Sequence, residues 1–284
     1  DDVALVYFEK CEALLQNADK IVAFRAFSSA VSTECETKLK SLGFNITRPY
    51  PSWLEKMVFT KRALKRFSTE TRIQFIMQIK SLIDRKVEQD GHLKATGIRG
   101  PFETGALTQK EFDTLVNKTH KDQRKGNFEF TTLDIAVKDS ITSFYGYKTF
   151  IETLKSMGIR PIEHRLSQTE FSKKFGNGEI QTDYDLFFFA MGSGDPDPDG
   201  NWRFAAAHFY GDTIDSKKVS EAYYTLNDEE RMEMYKSFER KLFLSGRYIP
   251  IVINKDVIGI HGSHKFVSPA SFRFGMSFYD KSKK

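Results

Sequence analysis

The run Tyr184–Met191 (YDLFFFAM) constrains the fold more than any other part of the chain. It is almost wholly apolar and short, which suits a strand covered on both faces rather than one with a solvated side. Such strands belong to parallel or mixed sheets with helices packed over them. The rest of the chain has a matching rhythm. Strands are expected at Val3–Tyr7, Ile21–Phe24, Met57–Thr60, Phe128–Val137, Ile159–Arg165, Tyr248–Ile260 and Phe272–Phe278. Helices are expected at Glu9–Asn17, Ser29–Leu42, Glu70–Gln89, Ile141–Met157 and from Asn227 onward, where Arg231, Tyr235, Phe238 and Leu242 recur at helical spacing.

The punctuation supports this reading. Gly43, Gly91 and Gly158 stand where helices should stop, since glycine takes the left-handed conformation without a Cβ clash. Thr108-Gln109-Lys110-Glu111 and Ser167-Gln168-Thr169-Glu170 each read as a capping box opening a helix. Pro49 and Pro51 make the stretch from Phe44 to Trp53 extended or looped, and Gly97–Gly105 reads as a loop around Pro101. The pattern is α/β with a mainly parallel sheet and room for antiparallel end strands.

Composition narrows the class. The chain has 284 residues, 40% hydrophobic and 29% charged, enough to bury a core without cross-links. One large domain, or one plus a small addition, is expected. No apolar run reaches the ~18–20 residues of a membrane-spanning helix. A balance of 43 basic against 38 acidic residues, net +5, is a mixed surface and not a nucleic-acid footprint. Cys11 and Cys35 are too few for a zinc site. They lie on separate expected helices with nothing in the spacing to join them, so two free, mostly buried thiols are expected. A single bridge in an oxidising compartment is the alternative.

Catalytic signatures are missing from the sequence. There is no phosphate-binding P-loop, no H-E-x-x-H helix and no G-x-S-x-G elbow. Gly192-Ser193-Gly194 lacks a third glycine and runs into acidic residues that would repel a pyrophosphate. His261 and His264 read as two exposed histidines rather than a metal site. Asp195-Pro196-Asp197-Pro198-Asp199-Gly200 begins like a calcium loop, but Ala206 stands where the bidentate glutamate is required. The run directly follows the buried strand. In open α/β sheets ligands bind at the carboxyl ends of strands, so these carboxylates and nearby Trp202 are placed to meet a cationic group.

Several blocks, in order, then resemble the family 5 extracytoplasmic solute-binding proteins, the oligopeptide, dipeptide and nickel receptors of ABC importers. Ile83-Asp84-Arg85 resembles the family's "A-I-D-R" helix, and Thr131–Val137 its "L-x-I" strand. Gly158-Ile159-Arg160 through Phe171, then Asp183-Tyr184-Asp185-Leu186, resembles "G-I-x-V … W-x-x-F … Y-D-L". Asp195–Pro198 falls at "W-x-x-D-x-x-D-P", and Arg231, Tyr235 and Tyr248-Ile249-Pro250 match "R-x-x-x-Y … Y-I-P". Asn17-Ala18-Asp19 is similar to a "G-E-I-D" turn.

The resemblance implies a periplasmic-binding-protein-like lobe, with a mixed, mainly parallel sheet flanked by helices. It implies a C-terminal ligand-binding lobe over residues 1–262, with 263–284 as a return strand and tail toward an N-terminal lobe. The chain would be a fragment or excised domain of a longer, two-lobed protein. Its function would be non-enzymatic: binding a solute, by resemblance a short peptide, for the membrane subunits of an ABC importer. The protein would be periplasmic or otherwise extracytoplasmic and monomeric, with no cofactor, metal or nucleic acid. The family's ammonium-binding aspartate falls on Gly194 and its preceding tryptophan on Met191, with Asp195 one residue away. The ligand-binding candidates are Asp195, Met191, Ser193, Gly194, Asp197 and Trp202. The alternative is a sensory or assembly module that uses the same fold to bind a protein partner.

Overall fold

The computed structural model describes residues 6–8, 11–27, 31–47, 51–97, 105–121, 130–192, 199–262, 264–267 and 277–280. The chain begins β1 (Val6–Phe8), α1 (Cys11–Gln16), β2 (Ala23–Phe27), α2 (Thr33–Ser41), β3 (Phe44–Thr47) and β4 (Pro51–Phe59). It continues α3 (Lys61–Arg66), α4 (Thr69–Gln89), β5 (Leu93–Lys94), α5 (Gln109–Lys121), β6 (Thr132–Lys138) and α6 (Tyr145–Ser156). Then come β7 (Arg160–Leu166), α7 (Gln168–Gly176), α8 (Glu179–Asp183), β8 (Leu186–Gly192) and α9 (Asp199–Ala205). A π-helical turn (Ala206–Tyr210) leads to α10 (Ser216–Tyr224), α11 (Asp228–Leu244), β9 (Tyr248–His261), β10 (His264–Val267) and β11 (Ser277–Asp280).

The described residues form two compact units. The first takes those up to Trp53, Gly192, and those from Asn254 onward. Here β1 runs parallel to β2, and both β2 and β3 pair antiparallel with the second half of β9. Leu14, Phe24, Cys35, Leu39, Phe44 and Val257 form its core. Gly259 lets the Phe24 ring lie flat on β9, where a Cβ would sit 2.0 Å from it. The expected free thiols are corrected here. Cys11 and Cys35 are joined in a disulfide with Cα atoms 6.1 Å apart. The spacing hid this because α1 and α2 each turn an apolar stripe, Leu14 and Leu39, into one core, which brings the two cysteines face to face.

The second unit takes Leu54–Met191 and the described residues from α9 to Ile253. Its strand order is β9-β4-β8-β6-β7. β6 lies parallel to both β7 and β8, with Ile135 opposite Leu186 and Lys138 opposite Leu166. β5 adds to β9 antiparallel, so the sheet is mixed and the fold α/β. β8 is covered on both faces as the apolar run requires: Leu186, Phe187 and Phe188 are fully buried. α4 packs Ile73, Ile76, Ile79 and Ile83 inward, and α6 packs Phe150 and Leu154. Burying each such side chain contributes roughly 1.5–3 kcal/mol. At Gly146 in α6 a Cβ would lie 2.3 Å from the Glu55 carboxylate of β4, so only glycine lets this helix approach the sheet.

Both capping boxes form. Glu111 accepts from the Thr108 backbone amide at 2.8 Å and Glu170 from that of Ser167 at 2.9 Å, while each hydroxyl accepts from the glutamate's own amide. Gly43, Gly91 and Gly158 all take positive φ. α3, α8, α9, the π-helical turn and α10 were not anticipated. Each is short, and α3 (KRALKR) shows charge where a longer helix would show an apolar stripe.

Candidate functional site

Because β6, β7 and β8 are parallel, their carboxyl ends share one edge of the second unit. Ser193, Gly194, Asp195 and Asp197, four of the six ligand-binding candidates, lie outside the described residues. Met191 is the next-to-last residue of β8. Trp202, expected to stand beside the acidic run facing a ligand, is instead core. It is 0% exposed, stacked on Tyr235 with centroids 6.3 Å apart and edge-on to Phe238 at 5.4 Å. The apolar faces of α9 and α11 take the ring inward, which the acidic neighbours in sequence conceal. His261 packs edge-on against Phe44 at 5.1 Å. Among the described residues, no group of three or more His, Cys, Asp or Glu is placed to hold a metal ion.

What the structure does bring to the carboxyl edge is aromatic. Phe189 of β8 is nearly parallel to Phe204 of α9 at 6.1 Å, and Phe204 nearly parallel to Phe175 of α7 at 6.3 Å. Phe209 meets all three roughly edge-on, at 4.8, 5.3 and 5.5 Å. Two ammonium groups stand over this layer. Lys56 Nζ on β4 is 5.8 Å from the Phe189 ring, and Lys138 Nζ at the end of β6 is 5.2 Å from the Phe171 ring. Partial burial pushes the Lys138 pKa down. Ring faces and the half-buried Lys138 ammonium group together suit apolar or aromatic side chains and negatively charged groups.

The opposite, amino edge carries a saturated ion network that the sequence reading missed. Asp185 is fully buried, and Arg66 Nη1 donates to both of its carboxylate oxygens, at 2.6 and 2.5 Å. It also accepts from the Asp134 amide at 3.1 Å and lies 3.4 Å from Arg62 Nε. Arg62 in turn holds Asp134 at 2.7 Å, and His164 Nε2 lies 3.1 Å from the other Asp134 oxygen. Burial works against the Asp134 charge. The bonds from His164 and Arg62 outweigh it and hold the carboxyl below its usual range. Arg62 and Arg66 sit one turn apart on α3, capped by the Thr60 hydroxyl. The signal for this network was Asp185 itself, a carboxylate inside an otherwise apolar run, just ahead of β8.

Asp84 of the "A-I-D-R" block opens onto a separate cavity of about 480 Å³ between α4, β5 and α5, which Glu88, Lys94 and Asp113 also line. Its charges are largely paired. Asp84 bonds buried Lys80, and Glu88 meets Lys94 at 2.9 Å.

No protein-family model matches the chain, and no curated protein matches it. Solved structures do. The ABC transporter substrate-binding protein CtaP of Listeria monocytogenes is 14% identical, with a TM-score of 0.64 over 90% of this chain and 53% of its own. NikA of Brucella suis, solved with Fe(III)-EDTA, is 13% identical with a TM-score of 0.65 over 91% and 57%. The periplasmic binding protein DppA of Helicobacter pylori, solved with the peptide STSA, is 14% identical with a TM-score of 0.64 over 89% and 51%. The chain thus spans about half the length of the structures it matches. The fold is the one these solute-binding proteins share over that half, and the family 5 resemblance read from the sequence holds at the level of fold.

Proposed function

We propose that the chain is the C-terminal part of a non-enzymatic solute-binding protein of an ABC importer, acting outside the cytoplasm and taking short peptides between two lobes. Residues 1–262 would supply one lobe. The observation that carries the reading is the placement of β8: a strand buried on both faces whose carboxyl end lies on the sheet edge where α/β folds bind ligands, with Asp195 and Asp197 following it in the sequence. In such a receptor ligand favours the closed state through contacts made only there. One lobe leaves its half-site solvated, where a carboxylate–ammonium contact is worth at most ~1 kcal/mol. The isolated 284-residue chain is therefore expected to bind peptides no tighter than roughly millimolar.

Calorimetry of the chain against a peptide library, paired with Asp195→Asn in the full-length protein, tests this. The substitution should leave the stability of the isolated chain unchanged and weaken uptake of ligands bearing an ammonium group. Micromolar binding by the isolated chain would sink the shared cleft, and unaffected uptake would remove Asp195 from the site. The rival reading, a module that binds a protein partner, is favoured by the exposed Tyr223, Tyr224 and Leu226 at the end of α10.

A further inference from the structure

The cavity of about 480 Å³ between α4, β5 and α5 is lined by none of the carboxyl-edge residues, and its size is that of a small-ligand site. One of its walls is built in an unusual way. Lys80 is buried, and its ammonium group bonds Oδ1 of Asp84, a partly exposed side chain that lines the cavity. A buried ion pair is a weak source of stability, because taking both charges out of water costs about as much as their attraction returns. What this pair does achieve is to hold a carboxylate at the cavity, with Oδ2 taking no bond from the described residues. Two more carboxylates line the same space. Glu88, one turn beyond Asp84 on α4, meets Lys94 of β5 at 2.9 Å. Asp113 of α5 is exposed, accepts from the Gln109 side-chain amide at 2.7 Å and holds no ion pair among the described residues. Three carboxylates thus stand against Lys94 and, behind Asp84, Lys80, which leaves one negative charge in excess. His92 adds no positive charge at neutral pH, since burial lowers its pKa. Leu93 and Ile253, opposite each other in the β5–β9 ladder, give the cavity an apolar wall.

We propose that this cavity is a second binding site, for a small aliphatic amine, with the ammonium group taken up among the three carboxylates and the alkyl stem against Leu93 and Ile253. An ammonium group supplies the one positive charge that the lining lacks and donates hydrogen bonds to carboxylate oxygens. An anion would meet the excess negative charge, and a neutral alcohol of the same length would gain only the apolar contact. Lys94 is the resident competitor: its ammonium group already draws on Glu88, so its removal should favour the ligand.

The test is an NMR titration of the 284-residue chain with pentylamine, and with pentanoate and 1-pentanol as probes of equal length. Pentylamine should saturate with a Kd of roughly 1 mM and shift the amides of Leu93, Lys94 and Gln109, while the other two probes leave them in place. Because Asp84→Asn strands Lys80, the exposed Asp113 carries the mutational test. Asp113→Asn should weaken pentylamine about fivefold without a change in melting temperature, and Lys94→Met should tighten it by a similar factor. No saturation by about 20 mM, equal binding of pentanoate, or a Kd unmoved by Asp113→Asn would each overturn the proposal. Asp195→Asn should leave the titration unchanged. A loss there would assign the amine to the carboxyl edge and overturn the second site, without touching the solute-binding reading of that edge.

Discussion

The two ends of the parallel strands β6, β7 and β8 are built on opposite terms. At the amino edge every charge is answered: Asp185, Asp134, Arg62, Arg66 and His164 form one network around a fully buried carboxylate. Toward the carboxyl edge Phe189 of β8 lies with Phe175 of α7 and Phe204 of α9, all partly open to solvent, with Lys138 holding no ion pair among the described residues. A network with all partners inside the protein has no capacity left for a ligand and serves stability. An edge with ring faces and an unanswered ammonium group has that capacity. The distinction separates the Asp185 of the "Y-D-L" block from the acidic run ten residues later, although both are aspartates beside the same strand.

The sharpest way to break this comparison is Asp185→Ala. Removing the buried carboxylate strands Arg66 and part of Arg62, and should cost about 3–5 kcal/mol in urea unfolding. A loss below about 1 kcal/mol would show that the amino edge does not anchor the sheet. Next in size is the disulfide of the first unit. Reducing Cys11–Cys35, which closes a loop with a sequence separation of 24, should cost about 3 kcal/mol. Thiol titration of the denatured, unreduced protein should find no free thiol.

Smaller effects concern the helix starts. Thr108→Ala and Ser167→Ala should each cost about 1 kcal/mol, read from denaturant midpoints. Glu111 adds a pH dependence. Burial opposes its charge, but bonds from Lys236 and from the Thr108 amide and hydroxyl bring its pKa down to about 2. A depressed carboxylate stabilises above its unfolded pKa, and that contribution is lost as the pH falls from the ordinary carboxylate range through about 2. With the side chain about a third exposed, solvent screening leaves about 1 kcal/mol, which Glu111→Gln should remove at neutral pH and not at pH 2. The smallest effect is expected at the carboxyl edge. Lys138→Met should change stability by no more than about 0.5 kcal/mol, and a large loss would mean that this edge, too, is structural.

The sequence carried local and periodic information well. The 3.6-residue repeat of α4, the two capping boxes, the positive-φ glycines and the unbroken apolar run of β8 all act within one element, so their physics is visible in neighbouring residues. Contacts between elements were not visible there. Cys11 meets Cys35 because two amphipathic helices share a core, and Trp202 turns away from its acidic neighbours because α11 offers Tyr235 and Phe238. A buried carboxylate at Asp185, just ahead of β8, makes sense only once α3, a helix too short to announce itself, delivers Arg62 and Arg66 from about 120 residues away. Side-chain pattern decides which elements form. Which charges are answered, and therefore which edge of the sheet remains open to a ligand, depends on packing between segments that have no sequence signal in common.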